Sequence, residues 1–210
     1  MRNYTNIDKY LSVLEKDIYP EPEMAQHEDI TEKVFQSFII PNKDAFRLVL
    51  DVGCGQGIAL KRFKALGIET IGITLGKNDF EACIAQGFDV RLMDQSFLDF
   101  PDKAFDLVYA RHVLEHSPFP LLTLCEFNRV LKDNAFLYVE VPWAESFHTV
   151  NPNHYSTLGK KSWRHLFDKS GLSIIKDVNI NFSLVDGDPD EYWGWWLNKT
   201  GNLLLHTKKQ

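Results

Sequence analysis

The stretch Val49-Leu50-Asp51-Val52-Gly53-Cys54-Gly55-Gln56-Gly57 decides how the chain is read. A short apolar run passes straight into glycines at alternate positions, and Ile58-Ala59-Leu60 then opens a segment with helical spacing. Glycine permits the sharp turn between a strand and a helix. It also lets a ligand lie against bare backbone at a helix N-terminus, where amides point outward. Dinucleotide enzymes use a related turn, G-x-G-x-x-G, so a glycine turn alone leaves the ligand open. Here the third glycine follows the second at two residues, and Asp51 stands before the first.

Outward from this turn, apolar runs alternate with helical periods of about 10 to 15 residues, the pattern of a parallel sheet built from crossover units. Strands are expected over 47–52, 69–73, 89–93, 105–110 and 135–141, with helices near 58–65, 79–86, 120–131 and 161–169. Leu48-Val49-Leu50 and Leu107-Val108-Tyr109 are apolar on both faces, as in a sheet covered by helices on both sides. Segments 172–184 and 191–198, joined through Asp186-Gly187-Asp188-Pro189, read as a hairpin at the sheet edge. Ahead of the sheet, Ile7, Leu11, Leu14 and Ile18 mark an amphipathic helix over 5–18 that Pro20 and Pro22 stop. A second helical run over 29–39 carries Val34, Phe35 and Phe38 on one side and ends before Pro41. The chain thus divides into an N-terminal flank or lid (1–44), a main domain (45–200) and a tail (201–210).

The 210 residues are 44% hydrophobic and 25% charged, a composition that excludes disordered and fibrous chains. The formal charge of −6 gives no footprint for a phosphate backbone, so nucleic acid is not an expected partner. Cys54, Cys83 and Cys125 are odd in number and widely spaced, which suggests neither a disulfide framework nor a zinc ribbon and fits a reducing, cytoplasmic setting. The N-terminus lacks an apolar signal core, and no stretch approaches the ~20 apolar residues that span a bilayer, so no membrane association is expected.

The alternate glycines preceded by an acid resemble motif I of the class I S-adenosylmethionine (SAM) methyltransferases, in which this loop faces the methionine half of the cofactor. Met93-Asp94-Gln95-Ser96-Phe97 is similar to the family's acidic loop at the adenine ring. Phe105-Asp106-Leu107-Val108-Tyr109-Ala110-Arg111-His112-Val113-Leu114-Glu115-His116 resembles motif IV in its F-D-x-V-x-x-x-x-V-L-E-H form. Asn128-Arg129-Val130-Leu131-Lys132 and the strand ending Val141-Pro142 fit as well, so the resemblance runs over about 30–185. It implies an α/β, Rossmann-like doubly wound fold whose seven-stranded sheet has the order 3-2-1-4-5-7-6, with the last strand antiparallel and helices on both faces. It implies SAM as cofactor, held by Asp51, Gly53, Cys54, Gly55 and Gly57, by Thr74 and Leu75, by Asp94, Gln95 and Ser96, and by Ala110 and Arg111. One position departs. The family usually ends its second strand with an acid that grips both ribose hydroxyls, and this sequence has Ile73-Thr74-Leu75-Gly76. A threonine hydroxyl cannot accept two hydrogen bonds as a carboxylate does, a loss of ~1 to 2 kcal/mol unless compensated.

His112, Glu115 and His116 stand at i, i+3 and i+4, so on a helix all three project from one face. This H-x-x-E-H resembles the E-x-x-E-H segment of ubiquinone-pathway O-methyltransferases and small-RNA 2′-O-methyltransferases, in which a later histidine completes a divalent-cation site near the substrate oxygen. His154 is the matching later histidine, and His148 the substitute. A cation held by His112, Glu115, His116 and His154 would act as a Lewis acid on an acceptor hydroxyl. Histidine in place of the first glutamate moves preference from magnesium toward zinc, iron or manganese. The same segment occurs in metal-free relatives, where the glutamate is a surface acid and the histidine packs or caps. Without a metal, His112 is the first candidate general base and His154 the second, with Glu115 and His116 beside them.

The expected activity is SAM-dependent methyl transfer to an oxygen of a small molecule or glycan; the alternative is a non-catalytic SAM-binding protein. H-x-x-E-H is also the inverted zinc-peptidase motif, and a nicotinamide oxidoreductase is weakened by the missing G-x-G-x-x-G and by Thr74. Trp143 and Phe147 are candidates to line an acceptor pocket. Tyr192, Trp193, Trp195 and Trp196 either stack on an acceptor or form core, and Arg111 and Arg164 either recognise an anion or sit at the surface.

Overall fold

The computed structural model describes residues 5–14, 18, 25–144, 151–180 and 192–199. Seven strands, β1 (Leu48–Val52), β2 (Glu69–Thr74), β3 (Asp89–Leu92), β4 (Phe105–Arg111), β5 (Leu131–Pro142), β6 (Leu172–Ile180) and β7 (Tyr192–Lys199), form one sheet. Its order is β3-β2-β1-β4-β5-β7-β6. Pairing is parallel from β3 through β5, and β7 alone runs against its neighbours β5 and β6. This is the expected Rossmann-like sheet. The helices are α1 (Thr5–Leu14), α2 (Ala25–Val34), α3 (Ile58–Ala65), α4 (Lys77–Ala85), α5 (Pro120–Val130) and α6 (Lys160–Lys169).

Strand alternation splits the core into two layers. Leu50 and Val52 of β1, with Val108 and Ala110 of β4, face Leu124 and Phe127 of α5 and Trp163 and Phe167 of α6. The intervening residues, Val49, Leu107 and Tyr109, face Phe35, Ile39 and Phe63 on the other side. Trp195 and Trp196 of β7 are buried on opposite faces, one in each layer, so these two form core, while the Tyr192 ring lies against His112 with centroids 4.4 Å apart. Trp193 stacks on Trp143 with ring centroids 5.3 Å apart. Ile30, Val34, Phe35 and Ile39 join the second layer, so the flank shares the main domain's core.

Several boundaries differ from expectation. The helical run expected over 29–39 begins at Ala25, then widens into a π turn (Phe35–Ile39) and tightens into a 3₁₀ turn (Ile40–Ala45). Pro41 has no N–H to continue the α pattern, and the Ile40 N–H reaches back to the Phe35 carbonyl. β5 begins at Leu131, four residues earlier than expected, with a register shift after the Phe105–Leu131 pair. The Pro20 and Pro22 break, Phe147, His148, the hairpin turn at 186–189 and the tail 201–210 lie outside the described residues. Among the described residues, no helix is long and apolar enough to cross a membrane.

The order of the sheet fixes where a ligand can sit. From β1 the chain moves outward through β2 to β3, then returns to place β4 on the other side of β1. Loops leaving the C-terminal ends of β1 and β4 therefore diverge and open a crevice there.

Candidate active site

The β1–α3 turn fills this crevice with bare backbone. Gly53, Gly55 and Gly57 all adopt positive φ, at 65°, 49° and 93°. A Cβ on Gly53 would lie 2.1 Å from Val113 Cγ1, whereas the corresponding space at Gly55 is open. The turn is fixed to its neighbours: the Cys54 N–H donates to the Ile73 carbonyl at 3.0 Å, and the Cys83 thiol donates to the Gly55 carbonyl at 3.3 Å. Two clefts meet at this turn. The smaller is lined by Asp51, Cys54, Arg111, Thr31 and His27, and the larger by Thr74, Leu75, Asp79, Asp94 and His116, with Leu11 and Leu14 of α1 over it. Gly53, Gly55 and His112 line both.

His112 stands at the junction in a left-handed conformation, φ 54°, uncommon for a residue with a side chain. Its Nε2 lies 2.6 Å from Glu140 Oε1, and its backbone N–H donates to the Glu140 carbonyl at 3.0 Å. Glu140 is fully buried. Burial alone would raise its pKa, but the Arg111 charge and the His112 interaction pull it down to about 2. Arg111 Nε donates to the same carboxylate at 2.9 Å, and Tyr138 Oη donates to Oε2 at 2.8 Å. Arg111 Nη2 lies 3.3 Å from the His112 Nε2, but the shorter contact with the ionised Glu140 carboxylate favours the tautomer with its hydrogen on Nε2 and its lone pair on Nδ1.

Asp51 is buried at the foot of the turn, and its Oδ2 has no hydrogen-bond partner among the described residues. Burial raises its pKa well above the usual carboxylate range, the nearby Cys83 adds to this, and Arg111 opposes it. Thr74 Oγ1 accepts the Gly76 N–H at 3.0 Å, and Asp94 Oδ1 accepts the Ser96 N–H at 2.7 Å. Three side chains expected at the cofactor are engaged elsewhere. Gln95 Nε2 donates to the Val113 carbonyl at 2.6 Å, Ser96 Oγ bonds Thr123 Oγ1 at 2.8 Å, and Ala110 packs in the core. Gln95 thereby holds the loop that carries His112. Arg111 donates to Thr31 Oγ1 at 2.6 Å as well as to Glu140, so it ties α2 to the sheet and is not a surface charge. Arg164 pairs with Asp177 near the surface.

The helical premise for His112, Glu115 and His116 is corrected. Only Leu114–His116 forms a short 3₁₀ turn, and His112 lies before it with positive φ. The three side chains therefore do not share one helical face. Glu115, His116 and His154 do converge, with one ligand atom from each within 4.8 Å of the others. His112 is outside that group, its Nδ1 3.9 Å from Glu115 Oε1 and its Nε2 committed to Glu140. His116 Nδ1 lies 3.0 Å from the Asn153 carbonyl, which leaves Nε2 as the ligating atom. Burial lowers the His116 pKa and so favours the neutral ring that a metal requires, with the Asn153 contact acting the other way.

Glu140 and Asp79 were missed by sequence reasoning. An acid inside the apolar run Leu137-Tyr138-Val139-Glu140-Val141 was the available signal for the first, because a charge in a fully covered strand must be paired. Asp79 carried no signal beyond its place in a first helical turn.

The chain is similar to known proteins in sequence and in fold. The family described as "Methyltransferase domain" matches residues 25–177. A ubiquinone biosynthesis O-methyltransferase from Hahella chejuensis is 29% identical over 117 residues, covering 52% of this chain and 46% of the relative. A sterol 24-C-methyltransferase from Eremothecium gossypii is 33% identical over 119 residues, covering 51% and 31%. The chain thus spans under half the length of these curated relatives. Among solved structures, a SAM-dependent methyltransferase from Archaeoglobus fulgidus superposes with a TM-score of 0.64 at 19% identity, covering 82% of this chain and 94% of the other. The [4+2]-cyclase SpnF superposes with a TM-score of 0.70 at 18% identity, covering 88% and 85%. At these identities the structural likeness speaks for the fold alone.

Proposed function

We propose that this chain, which belongs to the methyltransferase-domain family, transfers a methyl group from SAM to an oxygen of a small-molecule or glycan acceptor. The observation that carries the reading is His112, set where the two clefts meet and bonded through Nε2 to an ionised, buried Glu140. The residues present fit the cofactor. Asp51 Oδ2 is a buried acceptor in need of a donor such as the methionine ammonium, and the open space at Gly55 admits a ligand against backbone. When bound, SAM supplies an electrophilic methyl group on a sulfonium.

The chain's own residues supply the rest. Asp51 and the Gly53–Gly55 backbone hold the amino-acid end in the smaller cleft, and Leu75 and Asp94 hold the adenosine end in the larger. Leu11 and Leu14 cover the larger cleft with apolar surface and shield it from water. His112 Nδ1 takes the acceptor's proton, and Glu140 stabilises the imidazolium that results. Such a base suits a hydroxyl, which must lose its proton to become a good nucleophile.

A divalent cation is a second reading, favoured by the convergence of Glu115, His116 and His154. Two imidazoles and one carboxylate fit zinc, iron or manganese better than magnesium. A cation there would polarise the acceptor oxygen.

The test is methyl transfer from SAM to a panel of hydroxylated acceptors beside amine and carbon acceptors, read as S-adenosylhomocysteine (SAH) released, with and without added metals. Turnover on hydroxyl acceptors is expected. Turnover only on nitrogen or carbon overturns the oxygen assignment, and SAM binding without SAH under every condition identifies the non-catalytic alternative.

A further inference from the structure

Where the family's ribose-gripping acid is expected, Thr74 has already spent one lone pair on the Gly76 N–H. A carboxylate nevertheless reaches the same place from the next element. Asp79, in the first turn of α4, is 6% exposed and lines the larger cleft together with Thr74, Leu75 and Gly76. A Cβ built on Gly76 would meet Asp79 Oδ2 at 2.8 Å and Thr74 Oγ1 at 3.6 Å, so the two polar groups converge over this one residue without a side chain.

Among the described residues, Asp79 makes neither the capping hydrogen bond nor the ion pair that would occupy such an acid, which leaves only its position near the positive end of the α4 dipole. Asp79 stands three residues after the N-cap Gly76, where an acidic side chain can reach back to the cap N–H. That N–H is donated to Thr74, and α4 has no side-chain cap. No ion pair to Asp79 is found among the described residues. Its Oδ1 is buried there without a hydrogen-bond partner, and burial raises its pKa. A buried carboxylate oxygen in that state is costly until a donor arrives.

We propose that Asp79 accepts the hydrogen bonds of the ribose diol of an adenosyl ligand, replacing from α4 the acid missing at the end of β2. A vicinal diol offers two O–H donors side by side, which a carboxylate accepts together and one hydroxyl does not. Thr74 keeps its own hydroxyl hydrogen to donate to a ribose oxygen. Gly76 is required because a side chain would displace the Asp79 carboxylate. This assignment rests on the reading of the cleft as a SAM site.

The test is calorimetric titration of SAH and of its 2′,3′-dideoxy analogue into the wild-type chain, Asp79→Ala, and Asp79→Asn with Thr74→Asp, alongside thermal melting of each without ligand. Asp79→Ala should weaken SAH about 30-fold and the analogue less than about 3-fold, since the analogue has no diol to lose. The double variant, with an acid restored to the strand end, should recover SAH affinity to within about 5-fold of wild type. Unliganded Asp79→Ala should melt no lower than wild type, because a buried carboxylate without a partner has been removed. A structural acid would instead lower the melting temperature. Unchanged SAH affinity, or equal weakening of SAH and the analogue, overturns the assignment while leaving the SAM reading intact. Failure of wild type to bind SAH overturns both.

Discussion

In the proposed reaction His112 takes the acceptor's proton, and its backbone is held in a conformation that glycine would adopt more cheaply. The loop around it maintains that geometry through the Glu140 carbonyl and carboxylate and through the Gln95 bond to Val113. His112→Ala should lower kcat by about 100-fold or more, as loss of a general base does, and leave SAH affinity within about 3-fold. Steady-state rates beside calorimetry check both halves. Glu140→Gln removes the charge that Arg111 and His112 share and should cost about 3 to 5 kcal/mol of stability. The sign follows from the lowered pKa. The carboxylate's ordinary value is 4.5 and its folded value about 2, so its contribution is fully present above 4.5 and is lost as pH falls toward 2. Denaturant unfolding of wild type and Glu140→Gln should therefore differ most above pH 4.5 and converge in strong acid.

At the scale of elements, the β1–α3 turn separates two uses of glycine. Gly53 is required by the fold: Ala there would drive a Cβ into Val113, so Gly53→Ala should lose stability and SAH binding together. Gly55 faces open space, which the proposed ligand would fill. Gly55→Ala meets no protein atom and should cost only about 1 to 2 kcal/mol of left-handed backbone strain, yet it should weaken SAH strongly by filling the cleft. Melting temperature and SAH affinity, read side by side, distinguish the two. The turn was legible in the sequence because alternate glycines after an apolar strand are a local pattern. The loop after β4 was not. H-x-x-E-H spacing suggests a helical face, but a turn of only three residues after a left-handed His112 sends that side chain to Glu140, a residue of the neighbouring strand. Asp79 was hidden for the same reason, since its role depends on how α4 is set against the end of β2.

At the scale of the molecule, a parallel sheet with crossover helices was readable from alternating apolar and helical periods, and the order of its strands only through the resemblance carried by the family's motifs. The share of α2 in the core was not, because its apolar residues are few and gain meaning only once Phe63 and Tyr109 lie opposite. Phe35 packs on both rings, with centroids 4.7 Å and 6.1 Å away. Phe35→Ala should cost about 3 to 5 kcal/mol, measured by chemical denaturation, and loosen the covering of the smaller cleft.

The most direct measurement is a crystal structure grown in saturating SAH. The account predicts the amino-acid end beside Asp51 at the Gly53–Gly55 turn, the ribose between Thr74 and Asp79, and the sulfur facing His112. A crevice that stays vacant under saturating ligand, or that takes a dinucleotide's diphosphate instead, would contradict it.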